Sequence, residues 1–227
     1  MRLVTLPGVF RPISDTWLLA DALDRERLPH GARVLDLCSG SGVLAVRAAL
    51  GGGAREVTAV DVSRRAVLTI RLNAALNGVR VRARRGDLLD AVGGEQFDAI
   101  VSNPPYVPAP TDELPARGIE RAWDAGRDGR ALLDRICAAA PDHLRPGGVL
   151  LLVHSSLLGI RATEQALQAA GLDVDVAAQE RGPLGPLMSA RRDTGLVADV
   201  DQEDVLVIRG RKAATMHCRS AALNVTM

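Results

Sequence analysis

Strand-like runs alternate with helical patterns along most of this 227-residue chain, and this alternation limits the folds open to it. The first four runs occupy residues 32–38, 55–62, 79–87 and 97–103, with helical patterns at 43–50 and 63–78. Three of the runs are largely apolar, as in strands buried on both faces, and strands separated by helices form parallel sheets. The alternation therefore predicts an α/β fold, with helices on both faces of a mostly parallel sheet.

The second half of the chain continues this pattern and then changes it. Its predicted elements are a proline-rich loop, a helix, a strand, a helix and two strands, at residues 107–127, 128–144, 149–155, 159–170, 173–180 and 204–210. Residues 181–203 are rich in Gly, Pro and Arg and show no convincing helix, so the last two strands are predicted to pair antiparallel. We expect one domain over residues 1–210 and a disordered tail over residues 211–227, where periodicity stops.

Composition and charge exclude several classes of protein. The formal net charge of +1 gives no strong attraction to nucleic acid or to a membrane surface. Cys38, Cys137 and Cys218 lack the spacing of a zinc site or a disulfide framework, which favours a reduced, cytoplasmic setting and no bound metal. No apolar stretch reaches the ~18 residues of a membrane span, and the start of the sequence does not resemble a signal peptide.

A glycine turn and three acidic residues mark one edge of the predicted sheet. Gly40 and Gly42 follow the first strand in VLDLCSGSGVLA, a pattern that also fits the dinucleotide fingerprint. Asp36, Asp61 and Asp87 lie at the ends of three successive strands. Carboxylates are unfavourable next to a pyrophosphate but suit a ligand with an ammonium group and no phosphate, such as S-adenosylmethionine (AdoMet). An NAD-binding dehydrogenase is the alternative for this half.

The fourth strand ends in Asn103-Pro104-Pro105-Tyr106. Two prolines stop a strand abruptly and restrict its exit, so the motif is at least a rigid turn. The segments DLCSGSG, AVDVS, GDLL and NPPY, in this order, resemble a class I AdoMet-dependent methyltransferase, and NPPY is typical of those that methylate a planar nitrogen. Residues 8–23 and 122–136 resemble the HemK-type glutamine methyltransferases, in particular the short branch without an N-terminal helical domain.

The resemblance implies a Rossmann-like class I methyltransferase fold, with a seven-stranded, mostly parallel sheet and an antiparallel last strand. It implies AdoMet as methyl donor, with S-adenosyl-L-homocysteine as product. The expected AdoMet-binding residues are Thr16, Asp36, Cys38, Gly40, Gly42, Asp61, Asp87, Leu88 and Asn103. The expected substrate-binding residues are Asn103, Pro104, Pro105 and Tyr106, of which Asn103, Pro104 and Tyr106 are the expected catalytic residues. Cys38 departs from the Gly or Ala common in the family, and we interpret it as a small lining residue.

The chemistry expected at NPPY is orientation of a weak nucleophile. An amide nitrogen is a poor nucleophile because its lone pair is delocalised, and two acceptors that hold both N–H groups fix its direction. The Asn103 side-chain oxygen and the Pro104 carbonyl are two such acceptors on one rigid turn, and Tyr106 can pack against the planar group.

The expected substrate is a glutamine side-chain amide in a protein such as a class I release factor, by resemblance. An RNA or DNA exocyclic amine is one alternative, and a non-catalytic AdoMet-binding or partner-binding module is another. Some relatives require a zinc-binding activator beside the third strand. Here that strand reads VRVRARR, a charged edge that resists pairing, so we predict activity without an activator and favour a monomer.

Overall fold

A seven-stranded sheet forms the centre of the protein, which we describe from a computed structural model over residues 1–51 and 53–214. The strands are β1 Ala32–Leu37, β2 Ala54–Asp61, β3 Arg82–Arg85, β4 Phe97–Ser102, β5 Leu144–Ser155, β6 Leu172–Pro183 and β7 Gln202–Lys212. The α-helices are α1 Ser14–Arg25, α2 Val43–Leu50, α3 Arg64–Leu76, α4 Ala131–His143, α5 Ile160–Ala169 and α6 Pro186–Asp193. Short 3₁₀ turns lie at Leu88–Val92, Glu120–Ala122 and Ser156–Leu158.

The strand order is β3-β2-β1-β4-β5-β7-β6. Strands β1 to β5 pair in parallel, whereas β7 pairs antiparallel with both β5 and β6. From β1 the chain moves outward to β2 and β3, and then returns to place β4 on the other side of β1. This confirms the predicted fold and puts a topological switch point between β1 and β4, where ligands bind in open α/β sheets.

Both faces of the sheet are covered by helices. Helices α4 and α5 bury one face through Leu133, Ile136 and Leu167, and α1, α2 and α3 bury the other through residues such as Leu19 and Ile70. The central strands are apolar on both faces, which explains why their sequences do not alternate. This double burial fixes the carboxyl ends of β1, β2 and β4 at one edge.

Several element predictions need correction. The prediction of no helix within 181–203 is wrong, because α6 begins there with Pro186 at its first turn, a start position that proline favours. Strand β5 starts at Leu144 rather than residue 149, with a register shift over its Arg-Pro-Gly-Gly turn, and β3 is shorter than the predicted 79–87. Strand β7 continues to Lys212, two residues past the predicted domain end. Residues 215–227 of the predicted tail lie outside the described residues.

The turn between β1 and α2 imposes a left-handed backbone at three residues, Cys38, Gly40 and Gly42. Gly42 has φ 77°, and a Cβ at that position would lie 2.9 Å from the Ile70 side chain of α3, so a larger residue would separate α2 from α3. Cys38 has φ 55°, one of two positive-φ residues other than glycine in the described part of the chain. A side chain in this conformation costs roughly 1–2 kcal/mol, which explains why glycine suits this position.

We expect Cys38→Ala to be less stable than Cys38→Gly by about 1 kcal/mol, although alanine keeps more of the side chain. Alanine retains the disfavoured positive φ, whereas glycine adopts it freely. Free energies of unfolding from urea titrations measure the difference. At Cys137, a buried residue inside α4, the order should reverse, because glycine in a helix costs about 1 kcal/mol relative to alanine. The same order at both cysteines would contradict this account of Cys38.

Candidate active site

A cavity of about 680 Å³ opens at the carboxyl ends of β1, β2, β3 and β4, at the switch point of the sheet. Ten of the twelve residues predicted for the site line it together. They are Thr16, Cys38, Gly40, Asp61, Asp87, Leu88, Asn103, Pro104, Pro105 and Tyr106. Asp36 and Gly42 are not among the lining residues.

Asp36 is fully buried behind the glycine turn. Its Oδ2 accepts the Ala45 backbone N–H of α2 at 3.1 Å, while Oδ1 has no hydrogen-bond partner within the described residues. Burial raises the pKa of Asp36 to about 8, so its carboxyl is protonated at neutral pH unless a cation lies beside it. An orphaned carboxylate oxygen at this edge fits the ammonium group of an amino-acid ligand such as AdoMet.

Asp61 fixes the turn from the neighbouring strand. Its Oδ2 accepts the Gly40 N–H at 2.9 Å and its Oδ1 accepts the Ser63 N–H at 2.8 Å. Burial raises the pKa of Asp61, and these two backbone donors oppose that shift. A carboxylate has about four acceptor directions, so each oxygen retains capacity for a ribose hydroxyl.

The third strand end carries Asp87 and Leu88. Asp87 is half-exposed and forms a 2.8 Å ion pair with Arg135 of α4, so one of its oxygens is already engaged. Leu88 has φ 45°, the second positive φ outside glycine in the part of the chain that the structure describes. Cys38 and Leu88 thus both hold strained backbone conformations at the cavity wall, and such strain is concentrated at ligand sites.

Asn103 at the end of β4 is held by the N-terminal part of α1. Its side-chain nitrogen donates to the Thr16 hydroxyl oxygen at 3.0 Å. The amide oxygen of Asn103 therefore faces away from Thr16 and remains an acceptor. The Pro104 carbonyl oxygen likewise receives no hydrogen bond from residues 1–51 or 53–214. The two acceptors predicted at this turn are both available.

Tyr106 makes a second bond to the same helix, which the sequence analysis did not anticipate. Its hydroxyl donates to Oδ2 of Asp15, a buried carboxylate whose Oδ1 accepts the Ser14 hydroxyl at 3.1 Å. Burial of the hydroxyl and the adjacent Asp15 charge raise the pKa of Tyr106 well above its ordinary value, so the phenol stays protonated. Asp15 thereby limits where the ring of Tyr106 can lie.

A short parallel ladder supports the NPPY turn from behind. The Val107 N–H donates to the Trp123 carbonyl at 2.7 Å, and the Ala125 N–H donates to the Val107 carbonyl at 3.0 Å. Gly129 lies directly behind the turn with φ 70°, and a Cβ there would lie 2.5 Å from the Tyr106 carbonyl oxygen. The segment 122–136 thus has a structural role, because its backbone holds the end of β4 in place.

Some residues of the site had weak sequence signals. Asp15 precedes Thr16 at a helix start, where an acid is ordinarily explained by the helix dipole. Arg135 lies within the segment 122–136 that carries the family resemblance, but nothing in the sequence indicates its pairing with Asp87. Trp123 lines the cavity, whereas Trp17 and His154 do not. His154 is fully buried, with its Nδ1 2.9 Å from the Ser155 carbonyl oxygen.

No helix within the described residues is long and apolar enough to cross a membrane.

Comparison with known proteins identifies methyltransferases as relatives of this chain. The profile of the methyltransferase small domain family matches residues 1–119. A protein of Methanocaldococcus jannaschii named "Putative protein N5-glutamine methyltransferase" is 34% identical over 83% of this chain and 93% of its own length. The release factor glutamine methyltransferase of Geobacter sulfurreducens is 38% identical over 72% of this chain and 58% of its own length, so the chain spans somewhat more than half of that enzyme.

Among solved structures, the E. cuniculi Mtq2–Trm112 complex, described as responsible for methylation of the eRF1 translation termination factor, is similar throughout. It aligns with a TM-score of 0.64 and 25% identity over 91% of this chain and 99% of that chain. The sheet order, the cavity at its switch point and this likeness define a class I methyltransferase. The chain belongs to the methyltransferase small domain family, within its HemK-type branch, and its methyl donor is AdoMet. The predictions of fold, family and cofactor are confirmed.

The buried Asp36 predicts a pH-dependent stability. Its pKa is about 8 in the folded protein and 3.8 ordinarily, so between these values the folded state binds a proton that the unfolded state has released. Stability of the ligand-free protein should therefore fall as pH rises through this window. From pH 5.5 to 7.5, the wild type should lose up to about 2 kcal/mol more than Asp36→Asn, a neutral variant of the same shape. Urea unfolding at both pH values measures this, and equal slopes would contradict it.

The contact between Asp15 and Tyr106 predicts coupled energies. Asp15→Ala and Tyr106→Phe should each reduce stability, and the double variant should cost about 1–3 kcal/mol less than the sum of the two, because both remove the same bond. Ser14→Ala, which removes the other hydroxyl donor to Asp15, is the matched control and should leave the energy of Tyr106→Phe nearly unchanged. Additive energies for Asp15→Ala and Tyr106→Phe would show that the bond contributes nothing in solution.

Proposed function

We propose that this enzyme transfers the methyl group of AdoMet to the side-chain amide nitrogen of a glutamine in a protein, with a class I peptide chain release factor as the first candidate. The proposal rests on two unengaged hydrogen-bond acceptors at the end of β4. Asn103 lines the cavity and gives its amide N–H to Thr16, which leaves its side-chain oxygen as an acceptor, and the neighbouring Pro104 carbonyl is unengaged within the described residues. The names of the relatives support the substrate class.

Two acceptors on one turn suit a primary amide nitrogen, which carries two N–H bonds in a plane. When both N–H groups are bound, rotation about the nitrogen is prevented and the face of the amide is fixed. When the geometry is already formed, orientation of this kind lowers an activation barrier by about 7 kcal/mol or more at its best. Here it is formed by the two prolines, by Thr16 behind Asn103 and by the ladder behind Tyr106.

AdoMet, when bound, supplies an electrophilic methyl group on a sulfonium. The residues proposed to hold it are Thr16, Cys38, Gly40, Gly42, Asp87, Leu88 and Asn103, with Asp36 at its amino group and Asp61 at its ribose. The role proposed for Asp36 has a chemical consequence. An ammonium group pairs with an ionised carboxylate, so the proton of Asp36 is released when the ligand binds below pH 8.

A nucleic-acid amine is the competing substrate, since it also presents a planar NH₂ group. The charges of the site disfavour it. The formal net charge is +1, and the cavity lining has two arginines, Arg121 and Arg135, against six carboxylates, among them Asp15, Glu180 and Glu203. A polyphosphate strand binds mainly through many cationic contacts, which this lining does not provide.

Activity without an activator protein and as a monomer also stays a proposal. Arg82 and Arg84 of the edge strand β3 are engaged by Glu56 and Glu95, and this charged edge supports it. The neighbouring helix α3 exposes Leu68, Leu72 and Leu76 along one side, an apolar surface that argues for some contact there. The function test is therefore run with the enzyme purified alone.

The test supplies the enzyme with labelled AdoMet and one candidate substrate at a time. The candidates are a release factor, its GGN variant (in which asparagine replaces the glutamine of the Gly-Gly-Gln motif), ribosomal protein, tRNA and DNA. We expect labelling of the release factor and none of the GGN variant. In this assay Asn103→Ala should lower kcat by about 10²-fold or more, because one of the two orienting acceptors is lost. AdoMet affinity measured by calorimetry should fall much less than kcat, because the other eight residues proposed to hold AdoMet remain. Asn77→Ala, a change far from the cavity, is the control.

Labelling of nucleic acid alone would overturn the protein substrate. Full activity of Asn103→Ala would overturn the role of the β4 end. If the enzyme is inactive alone and gains activity with a zinc-binding activator, the proposal of independence fails and the substrate proposal stands.

A further inference from the structure

The cavity extends past Tyr106 to a part of the protein that the methyl-transfer chemistry does not use. Its far wall is built by the ends of β6 and β7 and by the start of α6. The residues that line this wall are Glu180, Gly182, Pro183, Gly185, Pro186, Leu187, Met188, Glu203 and Val205. None of them corresponds to a motif of the sequence, and the AdoMet carboxylates Asp36 and Asp61 belong to β1 and β2, on the other side of β4 in the sheet.

Glu203 is the unusual group of this wall. It lines the cavity yet is only 8% exposed. Its Oε1 accepts the Gly185 N–H at 3.3 Å, which ties β7 to the start of α6, whereas its Oε2 has no hydrogen-bond partner anywhere in the described residues. The bond to Gly185 requires only one oxygen, so the structural role leaves half of this carboxylate unexplained. A buried charged oxygen without a partner is costly, and a donor that reaches it is strongly favoured.

A second carboxylate faces the same space. In the antiparallel ladder Gly182 pairs with Glu203 and Glu180 pairs with Val205, so Glu180 and Glu203 are diagonal neighbours on one face. At such positions Cβ atoms are about 7–8 Å apart, within reach of one long cationic side chain. No ion pair or hydrogen bond engages the Glu180 side chain within residues 1–51 and 53–214.

The nearby arginines pair with other groups, although the Nε of Arg191 has no hydrogen-bond partner within the described residues. Arg191 of α6 pairs with Asp124 at 2.6 Å, and Arg135 pairs with Asp87 at 2.8 Å. Arg121 donates a hydrogen bond to the Ala116 carbonyl, and its charge lowers the pKa of Asp61. Within the described residues, no ion pair engages Glu180 or Glu203 of this wall. Glu203 lines the same cavity as Tyr106 of the NPPY turn.

We propose that Glu203, assisted by Glu180, is a substrate-recognition site for a cationic side chain, arginine in particular, that lies within a few residues of the methylated glutamine. Arginine fits because its guanidinium is weakly hydrated and presents several donors to separate carboxylates. The inference rests on the proposed function for the glutamine and adds the sequence context in which that glutamine is accepted. It makes Glu203 a specificity residue that contacts substrate and takes no part in methyl transfer.

The test uses peptides with a Gly-Gly-Gln core and one arginine, placed in turn at each of the three positions before the core and the three after it. A second set carries citrulline, which has the same shape without the charge. Binding is measured by fluorescence anisotropy with S-adenosylhomocysteine present, and methylation by kcat/KM with AdoMet. At one position or more, the wild type should prefer arginine by about tenfold, the size of a charge-assisted contact.

Glu203→Gln should reduce that preference to less than about twofold, and Glu180→Gln should reduce it in part. Affinity for the citrulline peptides should not change, because glutamine still offers an oxygen to the Gly185 N–H and a merely structural role would not distinguish the two peptides. Glu164→Gln on α5, away from the cavity, is the control and should behave as wild type.

Equal binding of arginine and citrulline peptides by the wild type at every position would overturn the inference. So would an arginine preference that survives in Glu203→Gln. If the preference depends on Glu203 in the binding assay but no glutamine substrate is methylated, the recognition site stands and the proposed function fails. The two failures are therefore distinguishable.

Discussion

The end of β4 is held from two directions, and the rest of the site depends on this. From one side, the first turn of α1 contacts it twice, through Thr16 to Asn103 and through Asp15 to Tyr106. From the other side, the segment 107–109 is bonded to residues 123–126. Because Pro104 and Pro105 lie between these contacts, the turn has few alternative conformations. Its acceptors are therefore oriented before substrate arrives, so little ordering entropy remains to be lost on binding.

Much of the fold was predictable from the sequence, because burial on both faces leaves a strong signal in the central strands. The glycine turn and the strand-end acids indicated the edge at which the cavity opens, and the predicted NPPY residues line that cavity. Less was predictable where function depends on contacts between distant segments. Asp15 and Tyr106 are 91 positions apart, and each has an ordinary local explanation, one as a helix-start acid and the other as a packing ring. Gly129 was not recognised as important because only the packed structure shows what its Cβ would meet.

Helix α6 was missed for a related reason. Its sequence Pro-Leu-Met-Ser-Ala-Arg-Arg-Asp has one buried residue, Met188, so it shows little of the apolar periodicity that indicates a helix. The helix depends on tertiary contacts instead, among them the bond from Gly185 to Glu203 and the ion pair between Arg191 and Asp124. Segments with little local preference are easily varied in sequence without loss of the core, which suits them to determine specificity.

The cavity is therefore divided by β4 into two parts that are built differently. Strands β1, β2 and β3 supply short turns, strained backbone and carboxylates. Burial favours the protonated form of Asp36. This half suits a cationic small molecule whose binding free energy offsets the cost of ionising a buried acid. Strands β6 and β7 with α6 supply the opposite half, where Oε2 of Glu203 has no hydrogen-bond partner within the described residues. Each half thus has a buried carboxylate oxygen, Asp36 Oδ1 or Glu203 Oε2, with no hydrogen-bond partner in the part of the chain that the structure describes. Such an arrangement costs stability in the ligand-free protein and favours ligands that bring the missing donor, so it contributes to specificity as well as to affinity.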